Sequence, residues 1–359
     1  MIKTRNAVKT MKEYDPPTKL RAGKLRLDFN ENSTGCSPKV IEKMRQITAE
    51  DLSIYPAYGE LLEKIGEYMN VPVSQVLATN GTDEALKCFF DTFINEEDEV
   101  IILSPSFAMF RVYADASGAE VKELLYNEDL SFPVNDLLNA ISSKTRMIMF
   151  ANPNNPTGTS IGNDDLRKVL EKAKEVDCLV VADEAYFEFY EKSALSLLKD
   201  FDNLAVTRTF SKSFGMAAVR LGFIVADEEI VREMRKVLSP YSVNGFASTL
   251  GVVALSDIDY TKRFVAEVNK GKEILYKEFT EMGIKFFKGD ANFFIANFGE
   301  NCDRIYEELK KRNILVRNRT KYPRLKNCLR IGVGSLEQTD VFLKAFKEIY
   351  TEIKGDDNE

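Results

Sequence analysis

The stretch "TFSKSFGMAAVRLGF", residues 209–223, sets a lysine, Lys212, among hydroxyl side chains, with Arg220 eight residues further on. The chain contains no histidine. The side chain that ordinarily titrates near neutral pH is therefore missing, and any proton chemistry there falls to another group. A lysine at a strand end can be desolvated, lose its charge near neutrality and become a nucleophile toward carbonyls. A lysine on an open surface would simply stay solvated. Three other polar clusters invite the same question. In "NGTDEA" (80–85), Gly81 lets the backbone approach a ligand closely. Thr82 and Asp83 then open a helix whose free N–H groups suit a phosphate, although an ordinary helix cap uses the same residue types. "NPNNPTG" (152–158) is turn chemistry that contains Asn155. "DEAY" (183–186) places Asp183 just after a run of Val and Ala, where a carboxylate is costly to bury unless a positive group pairs with it.

The elements around these clusters explain how they could meet. "QVLAT" (75–79), "EVIIL" (99–103), "RMIMFA" (146–151), "CLVVAD" (178–183), "LAVTRT" (204–209) and "GFIVA" (222–226) read as buried strands. A helix from about Thr82 puts Ala85, Leu86, Phe89, Phe90 and Phe93 on one face, and residues 163–176 form an amphipathic helix. Near-continuous apolar strands separated by helices predict an α/β fold with a mostly parallel sheet covered on both faces. Ligands of such sheets sit beyond the C-terminal strand ends, where all four polar clusters fall. A lysine that attacks a carbonyl, a helix start suited to phosphate and a carboxylate that wants a cation together specify a cofactor, and pyridoxal phosphate meets all three demands.

After about residue 255 the pattern changes to a long charged helix, "NFFIANF", a helix at 302–312, "ILVRN", "LRIGVG" and a final helix. This predicts a smaller α+β domain made of 1–44 and 256–359, beside a large domain of 45–255. A length of 359 residues suits two domains. The net charge of −7 and the pI of about 5.2 argue against a nucleic-acid or acidic-membrane binder. Five scattered cysteines without a CxxC fit a reducing cytoplasm, and no metal site is expected from them. No apolar run reaches the length of a membrane span.

"NPNNPTG", "DEAY" and "SK" followed eight residues later by arginine, in that order, resemble the fold-type I pyridoxal-phosphate aminotransferases, most closely the histidinol-phosphate aminotransferases. The resemblance runs from "LDFNEN" near Leu27 to "LRIGVG" and into the last helix. It implies that Lys212 holds the cofactor covalently and that Asp183 pairs with its ring nitrogen. Tyr186 and Asn155 would bond the ring's 3-oxygen, and Phe107 would stack on the ring. Gly81, Thr82, Asp83, Thr209, Ser211 and Arg220 would hold the cofactor phosphate, with Tyr55 reaching it from the neighbouring subunit of a homodimer. Lys212, once displaced by substrate, would move a proton between the substrate Cα and the cofactor, so no histidine is required.

On the substrate side the resemblance implies Arg330, in "CLRIGVG", as the carboxylate-binding arginine. Arg317, thirteen residues earlier, would join it on a substrate phosphate, with Tyr14 and Asn155 as further contacts. The expected reaction is transfer from histidinol phosphate to 2-oxoglutarate, giving imidazole acetol phosphate and glutamate in histidine biosynthesis. "NENSTGCSP" lacks the proline and aromatic residue usual after "NEN". "YSVN" (241–244) and "NRTKYPRL" (318–325) are similar to threonine-phosphate decarboxylase, which is one alternative. An aromatic amino acid aminotransferase and a non-catalytic pyridoxal-phosphate-binding regulator are others. A solvated loop would equally explain the basic run "RNRTKYPRLK".

Overall fold

A computed structural model describes residues 2–13 and 21–356. The first strand, β1 (Leu25–Arg26), is followed by β2 (Val76–Thr79), β3 (Glu99–Ser104), β4 (Glu120–Leu125), β5 (Thr145–Ala151), β6 (Leu179–Asp183), β7 (Leu204–Thr209) and β8 (Gly222–Ala226). Strands β2–β8 form a seven-stranded sheet in the order β2-β8-β7-β6-β5-β3-β4. The run from β7 through β6, β5 and β3 to β4 is parallel, and β8 lies antiparallel between β7 and β2. Alternate residues of the central strands enter two different cores. Ile148, Phe150, Val180, Ala182 and Val206 pack into one, and Met147, Met149, Leu179, Val181 and Ala205 into the other. Period-two alternation between two apolar layers is what a strand covered on both faces requires.

Helices supply the covers. In the helix Asn163–Lys174, Leu166, Val169, Leu170 and Ala173 are buried, the spacing of one helical face. The helix Gly81–Phe93 buries Ala85, Leu86, Cys88, Phe89 and Phe90. The edge strand β4, "EVKELL", is half exposed. Its charged alternation hid it from a search for apolar runs.

The C-terminal part forms a second sheet. Strands β9 (Lys285–Phe287), β10 (Phe293–Asn297), β12 (Arg317–Asn318) and β13 (Cys328–Gly332) are antiparallel in the order β12-β13-β10-β9. The two-residue strand β11 (Ile314–Leu315) pairs in parallel with β1, which brings the N-terminal segment to this side of the molecule. The helices Ile258–Glu281 and Leu336–Asp356 contribute Phe264, Val268, Phe279, Phe342, Phe346 and Ile349 to its core. All five cysteines are free thiols, and no helix among the described residues is long and apolar enough to cross a membrane.

Candidate active site

The strand directions gather the polar clusters. Both β2 and β7 run antiparallel to β8, so β2, β5, β6 and β7 all end at one edge of the large sheet. Because β8 runs the other way, it starts at that edge, and Arg220 just before it arrives at the same place. A cavity of about 590 Å³ opens there. Asp183, Tyr186, Asn155 and Phe107 line it, as do Thr82, Asp83, Thr209, Ser211, Lys212 and Arg220.

Asp183 forms the floor. Its carboxyl accepts a hydrogen bond from the Thr207 hydroxyl at 2.8 Å and is only 4% exposed. Burial pushes its pKa up to about 7, and the Thr207 and Ala185 donors only partly offset this. A carboxylate in this position gains from a cation placed against it. Lys212 stands close by, its Nζ donating to the Phe29 carbonyl at 2.9 Å and lying 5.6 Å from the centre of the Tyr186 ring.

The alternate residues point the other way. Glu184 and Arg208 form a buried ion pair of 2.6 Å, and Glu184 also accepts from the Ala194 N–H and the Ser193 hydroxyl, each at 2.7 Å. The pair ties the end of β6 to β7 directly behind Asp183 and Thr207. Its residues sit beside the motifs that the sequence makes visible, but their inward pairing depends on strand register.

Gly81 begins its helix at φ +75°, and a Cβ there would meet the Arg220 guanidinium. Gly81 does not itself line the cavity; it lets Arg220 lie across the helix start. A Cβ at Gly222 would stand 2.8 Å from the Thr82 nitrogen, so β8 packs against the same turn only because glycine is there. The preceding residue, Asn80, makes no side-chain cap, which leaves the first N–H groups of the helix available to an anion. Arg220 donates to Asp83 at 3.0 Å and to the Ser211 hydroxyl at 3.4 Å. The segment between β7 and β8 is closed at its base by the Thr209–Gly222 pair and by the Phe210 N–H to Leu221 carbonyl bond of 3.0 Å.

The three asparagines of "NPNNPTG" divide their work. Asn152 and Asn154 hold the turn, bonding to Ile161 and to the Pro105 carbonyl and Thr157 hydroxyl. Asn155 instead faces the cavity and accepts from Arg330. The Tyr186 hydroxyl accepts from Asn30 at 2.9 Å, and its ring packs edge-on to Phe293 at 5.1 Å.

The far wall comes from the small sheet. Arg317 and Arg330 are direct partners across β12 and β13, and both reach the cavity. Arg330, 2% exposed, donates to Asn155 and to the Asp28 carbonyl. Burial, then the charge of Arg319, pushes its pKa down. Arg317 lies 5.2 Å over the Phe29 ring. Arg319, Tyr322 and Phe29 also line the cavity and were not identified from the sequence. The one available signal was the "RNR" spacing, since residues two apart on a strand share a face.

Tyr55 is expected from a neighbouring subunit, so its place in its own chain is a separate matter. Tyr55 is 75% exposed, stacks on Tyr241 at 4.4 Å between ring centres, and lines a separate surface groove with Phe246. Tyr14 lies outside the described residues.

Comparison with known proteins gives the family. Residues 22–346 match the family described as Aminotransferase class I and II. The histidinol-phosphate aminotransferase of Clostridium novyi (strain NT) is 35% identical over 357 residues, covering 98% of this chain and 96% of that one. The crystal structure of the histidinol-phosphate aminotransferase from Clostridium acetobutylicum superimposes with a TM-score of 0.84 at 23% identity, covering 91% of this chain and 99% of that one. That from Sinorhizobium meliloti in complex with pyridoxal-5'-phosphate gives 0.82 at 22% identity, with 92% and 91% covered. The family match spans every strand of both sheets, so the lysine loop, the aspartate floor and the arginine wall all lie within it, and the chain belongs to the class I and II aminotransferases.

Proposed function

We propose that the protein transfers an amino group, with pyridoxal phosphate as cofactor, from histidinol phosphate to 2-oxoglutarate, giving imidazole acetol phosphate and glutamate. The observation that carries this reading is one cavity with Lys212 and the buried Asp183 at one end and Arg317 and Arg330 at the other. The names of the full-length relatives support the substrate.

The residues present fit the cofactor. Asp183, raised toward pH 7 by burial, suits a ring nitrogen that brings a proton. The uncapped start of Gly81–Phe93, Ser211 and Arg220 suit its phosphate. Bound there, pyridoxal phosphate supplies an aldehyde for the amino group and a ring that withdraws electrons from the substrate Cα. Lys212 would hold it covalently. Tyr186 and Asn155 would orient it through hydrogen bonds, and Phe107 would pack against the ring. Once free, the Lys212 amine is the group on the cavity floor that can take the Cα proton and return it. Arg330 would hold the carboxylate of glutamate or the phosphate of the other donor, with Arg317 beside it on the phosphate.

The second subunit of a homodimer would bring Tyr55 to the cofactor phosphate. Leu52, Ile54, Tyr55 and Tyr241 leave an apolar surface open beside it, which suits association of two copies. The test is glutamate formation by the cofactor-loaded protein from histidinol phosphate and 2-oxoglutarate. Carbon dioxide release from threonine phosphate without glutamate formation would replace this reading with the decarboxylase one.

A further inference from the structure

A loop of the small domain also supports the large-sheet end of the cavity. Between β9 and β10, residues 288–292 lie against the "NPNNPTG" turn, where the Asp290 N–H donates to the Gly158 carbonyl at 2.9 Å. A Cβ at Gly158 would stand 2.7 Å from the Gly289 Cα, so the two backbones meet as closely as glycine allows. Gly158 closes the turn, its N–H donating to the Asn154 carbonyl at 2.8 Å, and Asn155 follows directly. The far end of the same loop leads to Tyr186. The Asn292 amide donates to the Asn30 carbonyl at 3.1 Å, and the Asn30 amide donates to the Tyr186 hydroxyl at 2.9 Å. One loop therefore touches the supports of both Asn155 and Tyr186.

The helix Ile258–Glu281 holds that loop. Lys272 is 7% exposed, and its Nζ donates to the Gly289 carbonyl at 3.1 Å and to the Ala291 carbonyl at 3.0 Å. Tyr276, one helical turn on and so on the same face, accepts from the Gly289 N–H at 3.0 Å. Burying an ammonium group is costly unless its donors are used. Both acceptors here are backbone carbonyls of the one loop, two residues apart. An ammonium offers three donors from a single point, which suits it to fixing two such carbonyls at once.

The Tyr186 hydroxyl accepts from Asn30, which leaves its own proton to donate. The Asn155 amide oxygen accepts from Arg330, which leaves its NH2 to donate. These two donors meet one oxygen only while the turn and Asn30 keep their spacing. We propose that Lys272 is a positioning residue: by holding residues 289–291 it sets Asn155 and Tyr186 as paired donors to the cofactor's 3-oxygen, acting through the loop. This rests on the reading above that gives those two donors to that oxygen. Lys272 itself is not among the residues that the family resemblance assigns.

The test follows the absorbance of the bound cofactor against pH in the full chain and in five variants. Donors to the 3-oxygen favour its anionic form, so losing one should raise the pH midpoint, by roughly one unit in Asn155→Ala and Tyr186→Phe. Lys272→Met should raise it by about half a unit, roughly threefold in proton affinity, and Tyr276→Phe should shift it in the same direction. Ile349→Val, which trims a buried side chain of the small-domain core, should lose stability and leave the midpoint in place. An unmoved midpoint in Lys272→Met, or an equal shift in Ile349→Val, would overturn the proposal. In the cofactor-free proteins, exchange of the Gly158 amide should quicken roughly tenfold in Lys272→Met and not in Ile349→Val; unchanged exchange would overturn it independently. If Lys272→Met does not fold, Tyr276→Phe, which keeps the ring, decides by both readouts. If Asn155→Ala and Tyr186→Phe leave the midpoint unmoved, the assignment of the 3-oxygen donors fails, and Gly158 exchange still decides whether Lys272 holds the turn.

Discussion

The two ends of the cavity are built on opposite principles. At the large-sheet end, local loops supply the polar groups, and charges of both signs stand there, Asp83 and Asp183 beside Arg220 and Lys212. Arg220 bonds to Asp83, Asp183 to Thr207, and Lys212 to a carbonyl. At the small-sheet end, strand register supplies them, and positive charge accumulates on one face. The first arrangement suits a resident group that the protein keeps. The second suits a charged group that arrives and leaves.

The sharpest way to break this contrast is at Lys212. Lys212→Ala should leave no measurable amino transfer in a protein that still folds, and borohydride reduction of the unmodified enzyme followed by peptide mapping should place the cofactor on Lys212. Label on another lysine would remove it from the large-sheet end's chemistry.

Asp183→Asn comes next. Removing one partner of a buried charge pair costs about 3–5 kcal/mol, so turnover should fall roughly 10²- to 10³-fold or more while cofactor still binds. The same substitution tests the charge balance without activity. The Asp183 pKa is about 7 in the folded protein against a reference of 3.8. The folded state therefore binds the proton more tightly, and this group costs nothing below about pH 4. Its cost grows as pH rises and is complete above about pH 7. In urea melts of the cofactor-free proteins, Asp183→Asn should gain stability relative to the unmodified chain between pH 4 and 7. A pH-independent difference would show that the carboxyl titrates normally.

At the other end, Arg317→Ala should reduce the histidinol-phosphate half-reaction roughly ten- to a hundredfold more than the glutamate half-reaction, as expected for one charge-assisted contact. Cofactor absorbance should not change. Equal losses would make Arg317 a structural residue and dissolve the contrast. The smallest effect is expected at Tyr55. Tyr55→Phe removes one hydroxyl donor from the cofactor phosphate, worth about 1.5 kcal/mol at the low end for a charged acceptor, and should weaken cofactor affinity roughly tenfold, measured by equilibrium dialysis. An unchanged affinity would confine Tyr55 to the surface groove it shares with Tyr241.

The same contrast explains what could be read from the chain. Lys212, Asp183 and Arg220 sit in or beside loops whose composition is itself distinctive, and a mostly parallel sheet was legible in the apolar runs of β5, β6 and β7. Asn152 and Asn154 could not be told from Asn155 by composition, because only the fold of the turn decides which one faces inward. Strand β4 was missed because its exposed face carries charges, and Arg319 because strands of two residues leave almost no periodic signal. The inward pairing of Glu184 with Arg208 rests on register across β6 and β7, which period-two patterning does not fix when both faces are buried.

The segment from Phe210 to Leu221, closed at its base by β7 and β8, bears on the order of folding. Its ends are near in sequence, so closing it costs little chain entropy, and contacts of short range form early. The Lys212–Phe29 bond, by contrast, joins residues 183 positions apart. We expect the hairpin that carries Lys212, Ser211 and Arg220 to be set before the small sheet completes the far wall. Hydrogen exchange during refolding should then protect the Phe210 amide, bonded to Leu221, earlier than the Gly332 amide of β13, bonded to the distant Leu27. Simultaneous protection would mean that both ends of the cavity are born in one step. In the expected order, a nascent chain presents Lys212 in place while the wall that carries Arg317 and Arg330 is still unformed.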